Sequence, residues 1–272
     1  MSEVVGVFDT ETTGLDAETN FVIECCIRLG LEDDAETHLW RIRPPISIPV
    51  DATNTHGIRD EDLADCPTFG EVADDVARKL ERCDVLVGYN PQYDKDFLNA
   101  EFKRAGLEVR WAPILICCKR LWDIYDPPPP RKLIDAYAKF VDAKGFEGAH
   151  GALPDARATA QVMRGQLRHF ALEGKPWVEL DPERLKWWGP TRHAIWNEDD
   201  LTCNFGKNAG TKWGKLDKGF LNWIVEKDFP PHVKLLARAT LRELRQVAPT
   251  PQGALYDPVV VAVNAWARRN PP

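Results

Sequence analysis

Val4-Val5-Gly6-Val7-Phe8-Asp9-Thr10-Glu11-Thr12-Thr13-Gly14 decides how this chain is read. Its first half is apolar and rich in valine, the composition of a strand covered on both faces. Side chains two apart on a strand share a side, so Asp9 and Glu11 project together. Thr12-Thr13-Gly14 then reads as the turn that ends the strand. Two like charges on one side repel, and a purely structural strand gains nothing from them. A hard divalent cation removes that conflict, because Mg²⁺ and Mn²⁺ prefer carboxylate oxygen. A solvated strand end is the alternative for an Asp-x-Glu pair taken alone, so the rest of the chain has to decide.

Two later segments supply more carboxylates. Val85-Leu86-Val87-Gly88-Tyr89-Asn90 reads as a second buried strand, followed by a helix that Pro91 opens and that runs to about Gly106. Asp94 falls in its first turn, where the helix dipole favours an anion. In His150-Gly151-Ala152-Leu153-Pro154-Asp155, Pro154 suits a first helical turn. Asp155 then lies at a helix N-terminus, with His150 in the loop before it. Each piece alone has an ordinary reading as a helix-end charge or a loop histidine. The ordered set Asp-x-Glu, Asn-x-x-x-Asp and His-x-x-x-x-Asp does not.

With these three segments the chain resembles the DEDDh 3′–5′ exonucleases, which include proofreading subunits and exodeoxyribonuclease X-like enzymes. The resemblance covers about residues 4–172 and extends to Thr55-His56-Gly57-Ile58, Asp60-Glu61-Asp62-Leu63 and Pro67-Thr68-Phe69. It departs from the family at Tyr93, where many members have Phe. Ile116-Cys117-Cys118-Lys119 and the Pro127–Pro130 run depart from it as well. The resemblance implies a ribonuclease H-like fold and two Mg²⁺ or Mn²⁺ ions, with Asp9, Glu11 and Asp155 holding one and Asp9 bridging to the other. Asp94 is then expected to act through water or on the second ion. His150 fits the general base, since a histidine side chain titrates near neutrality. The backbone N–H groups of Thr12 and Thr13 are expected at the terminal 3′-hydroxyl, Leu15 between the last two bases, and Asn90 near the substrate. His56 is either near the site or a packed histidine.

Hydrophobic periodicity places strands at 4–10, 21–31, 37–43 and 85–90, and helices at 68–82, 92–105, 131–143 and 155–172. Residues 111–117 are ambiguous. Early consecutive strands followed by alternating strands and helices indicate an α/β domain with a mixed central sheet. The 272 residues, 44% of them hydrophobic, suffice for that core and for a second unit. No apolar run reaches the roughly 18 residues of a membrane span, and no signal-peptide pattern opens the chain. Seven cysteines without a Cys-x-x-Cys favour a reducing, cytoplasmic setting over disulfides or zinc.

The composition shifts near Glu173-Gly174-Lys175-Pro176, giving expected domains of 1–175, a small module of 176–250 and a tail of 251–272. Six of the ten tryptophans fall between Trp177 and Trp223. Residues 1–179 carry 21 Lys and Arg against 32 Asp and Glu, whereas residues 180–272 carry 14 against 10. The basic excess offers phosphate affinity or is an ordinary surface. The stretch from Asn204 to Ile224 interleaves lysine, aromatic residues and glycine, and resembles the small C-terminal module of exodeoxyribonuclease X-like proteins. Trp213, Phe220 and Trp223 either form its core or stack bases, and Lys207, Lys212 and Lys215 are its candidate phosphate contacts. Residues 232–246 read as an amphipathic helix and Val259–Arg269 as a strand or helix. Pro127–Pro130 reads as an extended surface loop.

The expectation for the whole is a two-metal 3′–5′ exodeoxyribonuclease acting on single-stranded or frayed DNA ends and releasing nucleoside 5′-monophosphates. Its partners are nucleic acid, with a polymerase as a candidate protein partner, and no membrane. An exoribonuclease is the competing enzyme, and a polymerase-associated or DNA-binding accessory protein is the competing class.

Overall fold

The apolar run at the N-terminus becomes β1 (Val5–Thr12) at the centre of a five-stranded sheet. In the computed structural model, residues 3–112, 114–126, 132–182, 186–189, 191–246 and 258–269 are described. The chain divides into two compact units, Met1–Asp181 and Pro182–Pro272. The Pro127–Pro130 run lies outside the described residues.

In the first unit β1 pairs antiparallel with β2 (Val22–Leu29), which pairs antiparallel with β3 (Glu36–Arg41). Three short or medium helices follow: α1 (Val50–His56), α2 (Asp60–Leu63) and α3 (Phe69–Glu81). Then β4 (Val85–Gly88) returns parallel to β1, α4 (Pro91–Arg104) crosses over, and β5 (Ile114–Cys117) adds parallel to β4. Helices α5 (Cys118–Tyr125), α6 (Leu133–Phe140) and α7 (Ala152–His169) complete the unit. The sheet is therefore mixed, in the order β3-β2-β1-β4-β5.

Alternation shows why the runs Val5–Phe8 and Val85–Val87 are apolar on both faces. Val7, Val85, Val87 and Ile116 pack into one layer with Leu121, Ala136, Phe140, Val162 and Met163 from α5, α6 and α7. Phe8, Leu86, Cys25 and Ile27 pack into the other with Val76, Leu80, Phe97 and Phe102 from α3 and α4. With helices on both faces, neither set of side chains needs to be polar. Gly165 lets α6 and α7 approach closely, since a Cβ there would stand 2.3 Å from the carbonyl oxygen of Phe140.

The second unit holds the hairpin β6 (Ala194–Asn197) and β7 (Asp200–Cys203) and the helices α8 (Lys218–Glu226), α9 (Pro231–Gln246) and α10 (Pro258–Arg269). Trp188, Trp213, Leu221, Ile224, Val233, Leu236 and Val263 form its core. The stretch set apart in the sequence as a tail contributes to that core. Val263 and Ala267 of α10 are buried, and Trp188 Nε1 donates to the Ala267 carbonyl at 3.1 Å. Among the described residues no helix is long and apolar enough to cross a membrane.

Candidate active site

Odd-numbered residues of β1 face the α7 layer, so Val7 is followed along the same side by Asp9 and Glu11. Asp9 lies opposite Cys26 of β2 in the sheet register, and Ala152 and Ala156 of α7 pack on Cys26. Two alanines four apart form a small-residue stripe on one helix face, which brings the start of α7 close to the sheet. Asp155, one residue before Ala156, is thereby set beside the strand. One ligand oxygen each from Asp9, Glu11 and Asp155 lie within 4.8 Å of one another.

The electrostatics of this trio are unfavourable without a counter-charge. Burial raises Asp9 well above an ordinary aspartate, reinforced by the charges of Asp94, Asp155, Glu11 and Glu24. Burial, with Asp155, Glu24 and Asp94, pushes Glu11 up to about 8. Burial pushes Asp155 up to about 6 against the opposing pull of the His150 backbone and ring. Asp155 Oδ1 is buried without a hydrogen-bond partner among the described residues. Three converging carboxylates, every perturbing charge on Asp9 and Glu11 anionic, and one orphaned oxygen together fit a hard divalent cation.

Asp94 reaches the site from α4, in the layer that covers Phe8. Its Oδ1 accepts from the Thr10 backbone N–H at 2.9 Å and the Thr10 hydroxyl at 2.7 Å. Burial raises it to about 6, opposed by those two bonds. It stands outside the trio and acts on it through charge.

His150 is exposed in the loop before α7 with φ +66°, a left-handed conformation uncommon outside glycine. Asn90 takes the same region, φ 71°, in the turn from β4 into α4. Leu15 is 89% exposed in the turn after β1. His56 closes α1 with Nδ1 accepting from the Ile58 N–H at 3.0 Å, while its Nε2 is buried beside the Thr12 backbone.

Two expected substrate contacts are otherwise engaged. The Thr13 N–H donates to the Phe21 carbonyl at 2.9 Å and its hydroxyl accepts from the Phe21 N–H at 3.0 Å. Thr13 thus closes the β1–β2 connection, and its amide is not available to a 3′-hydroxyl. Lys212 in the second unit pairs with Asp200 at 2.5 Å, whereas Lys207 and Lys215 are exposed. The strand also continues through Thr12, and the turn begins one residue later than expected. Thr12 itself is buried, and its hydroxyl meets the Tyr93 hydroxyl at 2.8 Å. Tyr93 also donates to the Gly14 carbonyl at 2.8 Å, so its hydroxyl ties the turn to α4.

Glu24 escaped the sequence reading. It is 4% exposed in β2, directly opposite Glu11. Oε2 accepts from the Ala152 N–H at 2.8 Å and Oε1 from Arg41 Nε at 3.1 Å. It therefore anchors the first amide of α7, a donor with no partner inside the helix. The available signal was a lone acid in a strand whose only other charged residue is Arg28. Glu24→Ala leaves that amide unpaired, a loss of about 1–3 kcal/mol. It is expected to lower both the unfolding midpoint and, by calorimetry, Mn²⁺ affinity, with Glu24→Gln intermediate. Unchanged Mn²⁺ affinity in Glu24→Ala would remove its role in placing Asp155.

A family model described as RNase_T, exonuclease, matches residues 7–163. The DNA polymerase III subunit epsilon of Pasteurella multocida is 31% identical over 170 residues, covering 57% of this chain and 65% of that protein. That of Haemophilus influenzae is 32% identical over 171 residues, covering 57% and 64%. The chain thus spans slightly under two thirds of these subunits. An uncharacterized exonuclease CP81 of Escherichia phage 186 is 31% identical over 168 residues, covering 57% of this chain and 84% of that protein. Among solved structures, exonuclease X in complex with 5′ overhanging duplex DNA aligns with a TM-score of 0.50 and 18% identity, covering 65% of this chain and 98% of that one. This likeness is one of fold, consistent with a ribonuclease H-like sheet.

Proposed function

The chain belongs to the RNase T family of exonucleases, and on that premise we propose that it is a divalent-metal-dependent 3′–5′ exonuclease acting on DNA ends. The observation that carries this reading is the convergence of Asp9, Glu11 and Asp155 within 4.8 Å. The reading assigns these three to one ion, and Asp94 to a water-mediated contact or a second ion. A divalent cation held there offsets the negative charge that grows on the phosphodiester and its leaving oxygen.

The chain's own groups supply the rest. His150, exposed in the loop before α7, accepts the proton of the attacking water. The new bond joins water oxygen to phosphorus, and the bond broken is to the 3′-oxygen of the preceding nucleotide. The released nucleotide therefore keeps its 5′-phosphate. The reading has Leu15, exposed in the turn that Tyr93 fastens, insert between the terminal bases. The epsilon-subunit relatives make association with a polymerase a partner to test by co-purification.

Matched single-stranded DNA and RNA carrying 5′ labels test the substrate class. Stepwise shortening of DNA is the expected result, and trimming of RNA alone would overturn the DNA assignment.

The raised carboxylates also set a pH dependence. Glu11 sits at about 8 against an ordinary 4.5, and Asp155 at about 6 against 3.8. Between the ordinary and raised values the folded state binds more protons than the unfolded chain, so stability falls as pH rises from about 4.5 to 8. A bound cation replaces those protons. Mg²⁺ is therefore expected to raise the unfolding midpoint more at pH near 8 than near 5. An equal shift at both pH values, read by thermal unfolding against EDTA, would contradict this.

A further inference from the structure

We propose that the second unit carries a base-stacking shelf for single-stranded nucleic acid, built on Trp223 and Phe220 and bordered by Lys207 and Lys227. This rests on the nucleic-acid reading above and adds a site outside the carboxylate cluster. Helix α8 has two apolar stripes. Leu221 and Ile224 are fully buried and account for its packing on the core. Phe220 and Trp223, three apart, lie on another side of the helix. Their rings are stacked at 5.5 Å with planes 23° apart.

Phe205 and Phe229 extend the patch. Phe205 lies 5.7 Å from Phe220, and Phe229 lies 5.0 Å from Trp223. Trp213 is fully buried, whereas Trp223 is 43% exposed. Phe205, Phe220 and Phe229 are partly buried and also pack against the core, so the Trp223 ring is the open face of the patch. Exposed aromatic faces are sequence-tolerant platforms for bases.

Around the patch Lys207, Lys218 and Lys227 stand among Asp217, Glu226 and Asp228, and it is the basic excess of residues 180–272, 14 Lys and Arg against 10 Asp and Glu, that favours an anionic strand over an apolar protein surface as the occupant. Lys227, the extended C-cap of α8, follows Trp223 by four residues, and Lys207 follows Phe205 by two. Both lysines are exposed, and neither is held in an ion pair among the described residues. Lys212, by contrast, is neutralised by Asp200. An open ring with unpaired lysines close to it in sequence suits a strand whose bases stack while its phosphates meet lysine. Such a site tethers a strand to the chain that carries the catalytic unit and so raises its effective concentration there.

The test uses the full chain in EDTA, so that no cleavage occurs, and fluorescence anisotropy of a labelled oligothymidylate of about 30 nucleotides, longer than typical sites of roughly 4–16. Trp223→Ala is expected to weaken binding roughly tenfold, with Trp223→Phe recovering most of it. Lys207→Gln with Lys227→Gln is expected to lower the slope of log affinity against log salt by about 0.7 for each lysine. Unfolding midpoints of all variants serve as the fold control. Binding by Trp223→Ala equal to the parent at every salt concentration would overturn the shelf. So would retained binding with lost self-association in sedimentation, which would assign the patch to a second copy of the chain. Turnover of a tetranucleotide with Mg²⁺, measured in the parent and in Trp223→Ala, reports separately on the exonuclease reading.

Discussion

Asp9→Ala is expected to lower DNA cleavage by roughly a thousandfold or more while leaving the fold intact. Asp9 is the residue on which every other carboxylate of the cluster acts, namely Asp94, Asp155, Glu11 and Glu24. Removing it takes away a candidate metal ligand and the group from which the resemblance expects a bridge to a second ion. The same change relieves repulsion. Alanine fits a strand position between Phe8 and Thr10, and no hydrogen bond to the Asp9 side chain needs replacing among the bonds described. In EDTA near pH 8 the variant's unfolding midpoint is therefore expected to equal or exceed the parent's. Wild-type-like turnover would sink the assignment of the cluster. A collapsed midpoint would show that Asp9 is structural.

His150→Asn is expected to reduce turnover by about 10²–10⁴ without changing the Mg²⁺-induced gain in stability. Asparagine is the appropriate replacement because position 150 has φ +66°, and asparagine tolerates that region better than alanine. The substitution thus removes the base while keeping the backbone. Equal losses of turnover and of Mg²⁺ stabilisation would place His150 among the cation's supports, contrary to its proposed role as proton acceptor.

The sheet was readable because its strands obey a simple rule. Val7 and Phe8 face opposite helical layers, so alternation gives no polar face and the run is apolar throughout. The clustering of Asp9 and Glu11 follows from the same two-residue period. Short helices gave no comparable signal: α2 has four residues and α1 seven, too few for helical periodicity to emerge. Helix α7 begins at Ala152, earlier than the proline suggests, because amides of a first turn need no intrahelical partner and Pro154 costs nothing there. Contacts remote in sequence were invisible. Thr13 bonds Phe21 across the β1–β2 connection, and Glu24 bonds Ala152 from 128 residues away. Composition likewise could not separate Trp213 from Trp223, whose spacing is compatible with either burial or exposure until helix α8 is oriented by Leu221 and Ile224.

The most direct test follows one preparation acting on a single-stranded DNA labelled at either end, with Mg²⁺ or EDTA, and identifies the products. The account predicts a ladder shrinking from the 3′ end, immediate loss of a 3′ label as nucleoside 5′-monophosphate, and no reaction in EDTA. Shortening from the 5′ end, internal cuts, or undiminished cleavage in EDTA would contradict it.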